Sequence, residues 1–467
     1  MPKAELFGRI DGLAGELREA ALSIWGKPEP AFRESFASGL QAGMLEAAGF
    51  RVSRGIAGMA TAFSAEFGSG GPVIGILGEY DSLAGLSQKV AARREPVVEG
   101  GLGHGCGHNL LGTGGVGAAL ALREALASGE LRGRVRYYGC PAEETLAGKV
   151  FMMRAGAFSD LDACISWHPA SMNAVWGCSF LALNSARFKF RGLPAHAAAA
   201  PHLGRSALDA VELMNVGANY LREHVPEKAR IHYSITNGGG APNIVPEEAE
   251  VWYYLRAPSR AVVEDIYSRL LDIAKGACLM TGTSFRHELE AGCYEILPNE
   301  AMGELITRNM LEAGPPRYTE EDRAFARELA STFSPGQKEK IMTTYFAPPE
   351  VVAMTLHEGI VKNRDKGEVM AGSVDSGDVS WNVPFAQLTA ATWPVGTAAH
   401  SWQATASSGS GIGVQAMLFA AKAMAGTVYD LLADGAALAR VKAEFAAATA
   451  GFRYVSPLPP SLEPPRA

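Results

Sequence analysis

The chain contains, at residues 73–81, the stretch Val73-Ile74-Gly75-Ile76-Leu77-Gly78-Glu79-Tyr80-Asp81. A short, apolar, β-rich run of this kind predicts a buried strand, and here polar side chains mark its end. The pattern recurs at residues 135–144, where an apolar run leads into Pro141-Ala142-Glu143-Glu144. Between the two, residues 113–127 form a small-residue segment that predicts a helix able to pack closely on a sheet. The alternation predicts an α/β fold in which polar strand ends meet at one site.

The middle of the chain has a different order of predicted strands and helices. Strands are predicted at residues 186–191, 231–236, 250–256 and 284–290, and helices at residues 206–222 and 261–280. This β-α-β-β-α-β order is that of the ferredoxin-like split βαβ arrangement. A chain of 467 residues is also too long for one ordinary core. We therefore expect two domains: a mixed-sheet α/β domain formed by residues 1–182 and 294–467, and a ferredoxin-like α+β domain, residues 183–293, inserted into it.

Composition argues against several classes of function. The formal net charge of −7, with a pI near 5.9, argues against non-specific nucleic-acid binding. The N-terminal residues lack the apolar segment of a secretory signal, and no uninterrupted apolar run reaches the ~18 residues needed to span a bilayer. Six scattered cysteines form no disulfide framework. These features predict a cytoplasmic protein with no nucleic-acid or membrane partner.

The strongest chemical signal is the stretch Gly103-His104-Gly105-Cys106-Gly107-His108-Asn109. A thiolate and an imidazole two residues apart can turn toward one cation, because the neighbouring glycines allow a sharp bend. The alternative is a buried cysteine beside solvent-facing histidines. On this motif alone the two interpretations have equal weight.

Glu143 and Glu144 directly follow the second apolar strand. Adjacent carboxylates are most often an exposed surface pair, but the preceding strand and Pro141 favour a position in a cleft. In a cleft the two carboxylates can have different chemical roles. One binds a metal ion, and the other takes a proton from the attacking water.

Two further histidines, His168 and His400, stand among small and apolar residues. Each alone is more often a hydrogen-bonded core histidine than a metal ligand. With the preceding motifs they complete a set of five donors on four predicted loops: Cys106, His108, Glu144, His168 and His400. Five donors, of which one can bridge, suffice for two divalent ions, which is a common hydrolytic device.

The Cys-Gly-His loop, the Glu-Glu pair and the two later histidines resemble the metallopeptidase family of aminoacylases and glutamate carboxypeptidases. Within that family, the chain is similar to the amidohydrolase branch, which uses a bridging cysteine. Residues 78–81, 372–381 and 400–403 carry the resemblance further, and it extends from about residue 8 to residue 440.

The resemblance implies a role for each of these residues. The five donors would be the metal ligands, with Cys106 as the bridge, His108 and Glu144 on one side, and His168 and His400 completing the pair. Glu143 would be the general base, and Asp81 would orient a ligand from behind the site. The two divalent ions would be zinc, which a thiolate favours, or manganese, which carboxylate and water ligands admit.

The resemblance also implies that the inserted domain is a lid and a dimerisation domain. His196, after its first strand, would support the oxyanion of the tetrahedral intermediate. Asn243 or Arg256 would bind a carboxylate of the substrate; for Arg256, a structural ion pair has equal weight. The implied assembly is a homodimer through this domain, with a second type of subunit as the other possibility.

The implied function is hydrolysis of the amide bond of a small N-acyl or aroyl amino acid, such as p-aminobenzoyl-glutamate, with Glu143 as the base. Three alternatives stay open: a dipeptidase, a hydrolytic deaminase of an aromatic amine, and a catalytically silent assembly subunit. The presence of every expected ligand and of Glu143 argues against the silent subunit.

Overall fold

The structure, a computed structural model, describes residues 2–362 and 365–465. Within these residues, eleven strands form two separate sheets, one of seven strands and one of four. The strands are β1 (Arg51–Arg54), β2 (Phe63–Ser69), β3 (Val73–Glu79), β4 (Gly133–Cys140), β5 (Ala163–Ala170), β6 (Ala174–Trp176), β7 (Ala182–Arg191), β8 (Arg230–Asn237), β9 (Glu248–Ala257), β10 (Ser284–Cys293) and β11 (Phe385–Ala391).

Fifteen α-helices lie in the same described part of the chain. They are α1 (Lys3–Gly12), α2 (Ala14–Gly26), α3 (Ser35–Ala47), α4 (His108–Ala127), α5 (Gly148–Arg154), α6 (Ala207–Leu221), α7 (Arg260–Thr281), α8 (Glu300–Ala313), α9 (Glu320–Ala330), α10 (Gln337–Thr344), α11 (Pro349–Val352), α12 (Ser376–Ser380), α13 (Trp402–Ser408), α14 (Gly411–Ala433) and α15 (Gly435–Ala448).

Four parallel strands, β3, β4, β5 and β11, form the centre of the seven-stranded sheet. The order is β1-β2-β4-β3-β5-β11-β6, and β1, β2 and β6 join antiparallel at the edges. Every residue of β3 and β11 is buried, as expected of strands covered on both faces. The carboxyl ends of the parallel strands therefore meet at one edge, which is where α/β sheets bind their ligands.

Helix α4 packs on this sheet and confirms the predicted small-residue helix, although it begins earlier, at His108. Two of its glycines are explained by close approach to side chains of the strands. A Cβ added at Gly114 would lie 2.8 Å from Nε1 of Trp167, and one added at Gly115 would lie 2.8 Å from the ring of Tyr137. The tight packing fixes the start of α4, and with it the preceding glycine-rich loop, next to the polar strand ends.

Helices α4 and α14 are long and apolar enough, by length and composition, to cross a membrane. In each helix, however, 78% of the qualifying window is buried inside the fold. The two helices also pack against each other. Burial all round is typical of the core helices of a globular protein.

The four-stranded sheet contains β7 to β10 in the order β10-β7-β9-β8, with every pair antiparallel. Helices α6 and α7 pack on it and enclose a separate hydrophobic core that includes Phe188, Val251 and Leu270. The chain order β7-α6-β8-β9-α7-β10 confirms the predicted β-α-β-β-α-β pattern. The fold is therefore a mixed-sheet α/β structure with a ferredoxin-like α+β unit inserted into it, as expected.

Candidate metal centre

The polar edge of the seven-stranded sheet brings together all five donors expected from the sequence. The donors are Cys106 two residues before α4, His108 at the first residue of α4, Glu144 in a short helical turn after β4, His168 within β5, and His400 in the loop before α13. His168 therefore lies inside its strand, near the carboxyl end. The convergence follows from the parallel arrangement of β3, β4, β5 and β11.

The donors form two groups that share Cys106. The first triad is Cys106, His108 and His168, and the second triad is Cys106, Glu144 and His400; within each, the donor atoms lie within 4.8 Å of one another. Cys106 Sγ lies 3.4 Å from Nε2 of His168, and Nε2 of His400 lies 3.4 Å from Oε2 of Glu144. The sequence-based expectation grouped His108 with Glu144, whereas the structure groups it with His168.

Hydrogen bonds orient the two imidazoles of the first triad. Nδ1 of His108 donates to Oδ1 of Asp81 at 2.8 Å, and Nδ1 of His168 donates to the carbonyl of Pro169 at 2.7 Å. Nε2 of each ring is thereby left as the unprotonated nitrogen; in His168 it lies 3.4 Å from Sγ of Cys106. Asp81 is buried and also accepts the backbone N–H of Glu144 at 2.9 Å. Asp81 thus fixes both a ring of the first triad and the backbone of the second.

Carboxylates crowd this site. Burial first, and then the charges of Glu79, Glu144 and Asp375, raise the pKa of Glu143 well above its ordinary value. Burial likewise raises the pKa of Glu144 to about 7. Buried like charges are costly unless cations lie among them. Divalent ions at the two triads would offset the repulsion and favour the ionised carboxylates.

The residues present fit divalent metal ions. Nε2 of His108 and Oε1 of Glu144 are buried atoms with no hydrogen-bond partner in the described part of the chain, and buried polar atoms normally have one. Burial, followed by the charge of Glu144, raises the pKa of the Cys106 thiol; a coordinated metal ion opposes this shift by stabilising the thiolate. Sulfur, nitrogen and oxygen donors in groups of three suit catalytic zinc and related ions.

A buried ion-pair network behind the first triad was not expected from the sequence. Nζ of Lys149 lies 2.6 Å from Oε1 of Glu79 and 2.6 Å from Oδ1 of Asp375. Burial alone would lower the pKa of Lys149, but the charges of Asp375 and Glu79 hold it well above its ordinary value. A lysine in a helical segment normally predicts an exposed position, so no signal pointed to Lys149. The two carboxylates could have been found from the sequence. Glu79 is the polar residue that ends β3, and Asp375 belongs to the stretch 372–381, which carries the family resemblance.

Comparison with known proteins identifies the family. The peptidase dimerisation domain family matches residues 182–279. One component of the p-aminobenzoyl-glutamate hydrolase of Escherichia coli (strain K12) is 41% identical over 457 residues, which cover 96% of this chain and 95% of that protein. The chain belongs to the M20 peptidase family. It is accordingly a metal-dependent amidohydrolase or peptidase, as its motifs predicted.

Two further M20 relatives extend the comparison. The Xaa-Arg dipeptidase of Mus musculus is 32% identical over 453 residues, which cover 94% of this chain and 90% of that protein. Among solved structures, a dinuclear metal-binding peptidase of the M20 family from Bacillus subtilis matches with a TM-score of 0.56 and 16% identity, covering 90% of this chain and 99% of that one. At this low identity the structural match shows the fold, which agrees with the architecture described above.

The candidate metal centre opens into a cavity of about 300 Å³. Cys106, Glu143, Glu144, His168 and His400 are among the residues that line it. Five large aromatic side chains contribute to its walls: Trp176, Phe180, Tyr254, Tyr345 and Trp393. The ring of Trp176 lies 4.9 Å from that of Phe180 and 5.1 Å from that of His168. An aromatic group could therefore be enclosed directly beside the metal donors.

Arg256 lines the same cavity from β9. Its Nη1 donates to Oγ of Ser373 at 3.1 Å, and its guanidinium carbon lies 5.7 Å from the ring centre of Tyr254. Within residues 2–362 and 365–465, no carboxylate lies at ion-pair distance from it. Burial lowers the pKa of Arg256, but an arginine stays charged in proteins. The guanidinium is therefore available to an anionic group in the cavity.

His196 and Asn243 lie beside each other but away from this cavity. The backbone N–H of Ala197 donates to the carbonyl of Asn243 at 3.0 Å, and His196 forms an isolated bridge with Ile244. Both residues belong to surface loops of the four-stranded unit, and neither lines the cavity that contains Arg256. Three residues of the inserted unit were expected to contact the substrate: His196, Asn243 and Arg256. Within a single chain, Arg256 lines the cavity, and the other two do not.

Proposed function

We propose that this M20 protein hydrolyses the amide bond of a small N-aroyl or N-acyl amino acid, such as the p-aminobenzoyl-glutamate in the name of its Escherichia coli relative. One observation carries the proposal: a single cavity is lined by metal donors, by five Trp, Phe and Tyr side chains, and by Arg256, whose guanidinium has no carboxylate partner among the described residues. These three features match the amide, the aroyl group and the α-carboxylate of such a substrate.

Two divalent ions, zinc or manganese, would be held by the two triads, with Cys106 shared between them. When bound, such ions polarise a carbonyl oxygen and lower the pKa of an attacking water. A thiolate and imidazoles favour zinc, and the carboxylate of Glu144 also admits manganese. Asp81 supports both sides, through the ring of His108 and the backbone of Glu144.

Glu143 acts as the general base. It belongs to neither triad, it lines the cavity, and its Oε2 lies 3.9 Å from Nε2 of His108. Glu143 takes a proton from the water as the water oxygen adds to the amide carbonyl. It returns the proton to the amide nitrogen as the C–N bond breaks, which yields a carboxylic acid and an amine.

The cavity walls position the two halves of the substrate. Trp176 and Phe180 pack against the aroyl ring, since their rings already lie edge to face with space in the cavity beside them. Arg256 binds the carboxylate of the amino-acid half through charge-assisted hydrogen bonds. Together these contacts hold the scissile amide at the metal centre.

Arg256→Met is expected to raise KM for N-aroyl amino acids by roughly 10–100-fold, because a charge-assisted hydrogen bond to the α-carboxylate is lost. The same variant should scarcely change KM for a substrate whose carboxylate is esterified. Steady-state kinetics on p-aminobenzoyl-glutamate and on its ester measure the difference, and they test the proposed reaction at the same time.

Arg230→Met provides the matched control. Arg230 pairs with Arg256 across β8 and β9, but it bonds the carbonyls of Glu227 and Ala229 instead of lining the cavity. It should leave both KM values unchanged. If Arg256→Met lowers the melting temperature and affects both substrates alike, Arg256 stabilises the fold and the carboxylate is recognised elsewhere.

Cys106→Ser is expected to lower metal content and activity together. Cys106 is the one residue common to both triads, and a hydroxyl bridges metal ions less well than a thiolate. Elemental analysis of the purified variant measures the loss. Cys164→Ser and Cys278→Ser, which change cysteines outside the triads, should cost only modest packing. Equal sensitivity of all three variants would mean that Cys106 is structural.

We also propose that residues 1–182 and 294–467 form the catalytic domain and that residues 183–293 form a lid that dimerises. The match to the peptidase dimerisation domain supports a dimer. So does α6, which exposes Val216 and Tyr220 by 49% and 75%. In a homodimer, His196 and Asn243 would reach the cavity of the other copy.

An assembly with a different type of chain is the second possibility, since two Escherichia coli relatives are named as different components of one hydrolase. A solution mass near that of two 49.3 kDa chains would support the homodimer, and a monomer would contradict it. All six cysteines are free, which supports the proposed cytoplasmic location.

A dipeptidase is the second candidate function, because the murine relative is an Xaa-Arg dipeptidase. The cavity favours it less. The acidic residues that line it, within the described chain, are Glu143 and Glu144 at the metal centre, whereas Arg256 would repel the arginine side chain of such a substrate. Assay of Xaa-Arg dipeptides beside N-aroyl amino acids distinguishes the two functions.

A further inference from the structure

Glu79, the last residue of β3, has a buried carboxylate whose two oxygens have different surroundings. Oε1 forms an ion pair with Lys149 at 2.6 Å. Oε2 is buried and has no hydrogen-bond partner among the described residues. A buried carboxylate oxygen without a partner is costly, so this oxygen requires a proton donor or a cation.

Oε2 of Glu79 faces the first triad. It lies 3.3 Å from Nε2 of His108, the nitrogen that belongs to the triad, and that nitrogen also has no hydrogen-bond partner in the described chain. Glu79, His108 and Glu143 form a third group whose possible ligand atoms lie within 4.8 Å of one another. Two buried atoms, a carboxylate oxygen and an imidazole nitrogen, thus lie 3.3 Å apart, and neither has a hydrogen-bond partner among the described residues.

Lys149 and Asp375 fix the orientation of Glu79. The side chain of Lys149 is fully buried and contacts both carboxylates, and its backbone N–H also donates to Oδ2 of Asp375 at 2.8 Å. The single positive charge of Lys149 therefore faces the two negative charges of Glu79 and Asp375. One negative charge of this buried group is left without a compensating positive charge. A metal-ligating carboxylate commonly has its other oxygen held by a hydrogen bond of this kind.

We propose that Glu79 is a sixth metal donor, which contributes Oε2 to the ion held by Cys106, His108 and His168, and that Lys149 and Asp375 are positioning residues that hold it there. This inference rests on the proposed use of the two triads as metal sites. It makes the two sides of the centre unequal, since the first ion has four protein donors and the second has three. The additional negative charge would bind the first ion more tightly.

Glu79→Gln tests the proposal. The amide keeps the size of the side chain but removes the charge, and Lys149 and Asp375 remain as a neutral pair, so the fold is expected to survive. In competition with a chromophoric chelator, one of the two Zn²⁺ ions should bind about 10–100-fold more weakly and the other should be unchanged. The visible absorption of the Co²⁺-loaded variant should also differ from that of the wild type, because its intensity reports the coordination number.

Glu66→Gln is the matched control. Glu66 is another buried carboxylate of the same sheet, paired with Arg51, Arg134 and Arg136 instead of standing near a triad. It should keep both affinities and the Co²⁺ spectrum. Melting of the metal-free proteins checks that each variant is folded. Glu79→Asp, which retains the charge, supplies a second test and should bind metal more tightly than Glu79→Gln.

Two results would overturn the proposal. One is an unchanged affinity for both ions in Glu79→Gln. The other is a weakened affinity with an unchanged Co²⁺ spectrum, which would show that Glu79 acts only through His108. These measurements need no substrate. A protein that binds both ions and hydrolyses no N-acyl amino acid would contradict the proposed function and leave the assignment of Glu79 standing.

Discussion

Glu143→Gln is expected to keep both metal ions bound and to lower kcat by about 10²- to 10⁴-fold. Glu143 belongs to neither of the two triads, so its loss removes no donor from them. A glutamine has nearly the same size but cannot accept the proton of the attacking water, and general-base catalysis contributes about this factor. Elemental analysis and single-turnover rates on an N-aroyl amino acid, measured on the same preparation, separate metal loss from loss of chemistry.

Glu144→Gln is the informative comparison, because the two glutamates are adjacent in the chain and differ in their place at the site. Glu144 is in the second triad, 3.4 Å from His400, so its substitution should empty that side and lower activity through metal loss. Suppose instead that Glu143→Gln loses metal while Glu144→Gln keeps both metal and turnover. The roles of the two residues would then be reversed.

Removal of metal by a chelator is expected to reduce activity to the background rate, and Zn²⁺ or Mn²⁺ should restore it. The triads leave Nε2 of His108 and Oε1 of Glu144 without hydrogen-bond partners in the described chain, and divalent ions would offset the repulsion among the crowded carboxylates. The metal-free protein should also melt at a lower temperature, because ions that bind only the folded state stabilise it.

Mg²⁺ is the useful control ion. It prefers oxygen ligands in an octahedron, and sulfur and nitrogen make up most of the donors here, so it should restore little activity. Full activity in protein that contains far fewer metal ions than chains would refute the metal-dependent mechanism for this chain.

The sequence predicted the convergence of the donors because that convergence depends on local features. Cys106 and His108 stand in one glycine-rich loop, and Glu144 and His168 lie at the ends of apolar strands. Parallel strands bring their carboxyl ends to one edge whatever their exact order in the sheet. His400 could be included among the predicted donors because it, like His168, stands among small and apolar residues.

The arrangement within the site depends on distances that a sequence pattern does not contain. The donor atom of His108 groups with those of Cys106 and His168, although Nδ1 of its ring also lies 4.0 Å from Oε1 of Glu144. Helix α4 begins at His108, five residues before the predicted helix, so the sequence pattern did not place this ring. Lys149 was missed because burial of a lysine requires two carboxylates from distant parts of the chain. His196 and Asn243 lie away from the cavity because the placement of the inserted unit follows from packing between domains, on which local periodicity has no bearing.

The strand order of the larger sheet has a consequence for how the chain folds during synthesis. Strand β11 pairs with β5 at the centre of the sheet, yet the whole four-stranded unit lies between them in the chain. As the polypeptide leaves the ribosome, β7 to β10 can complete their own sheet before β11 has been synthesised. Until then, the edge of β5 that pairs with β11 has no partner strand. During that interval the nascent protein carries an exposed strand edge, a state prone to aggregation and suited to chaperone binding. The seven-stranded sheet is therefore the first of the two sheets to begin forming and the last to be completed.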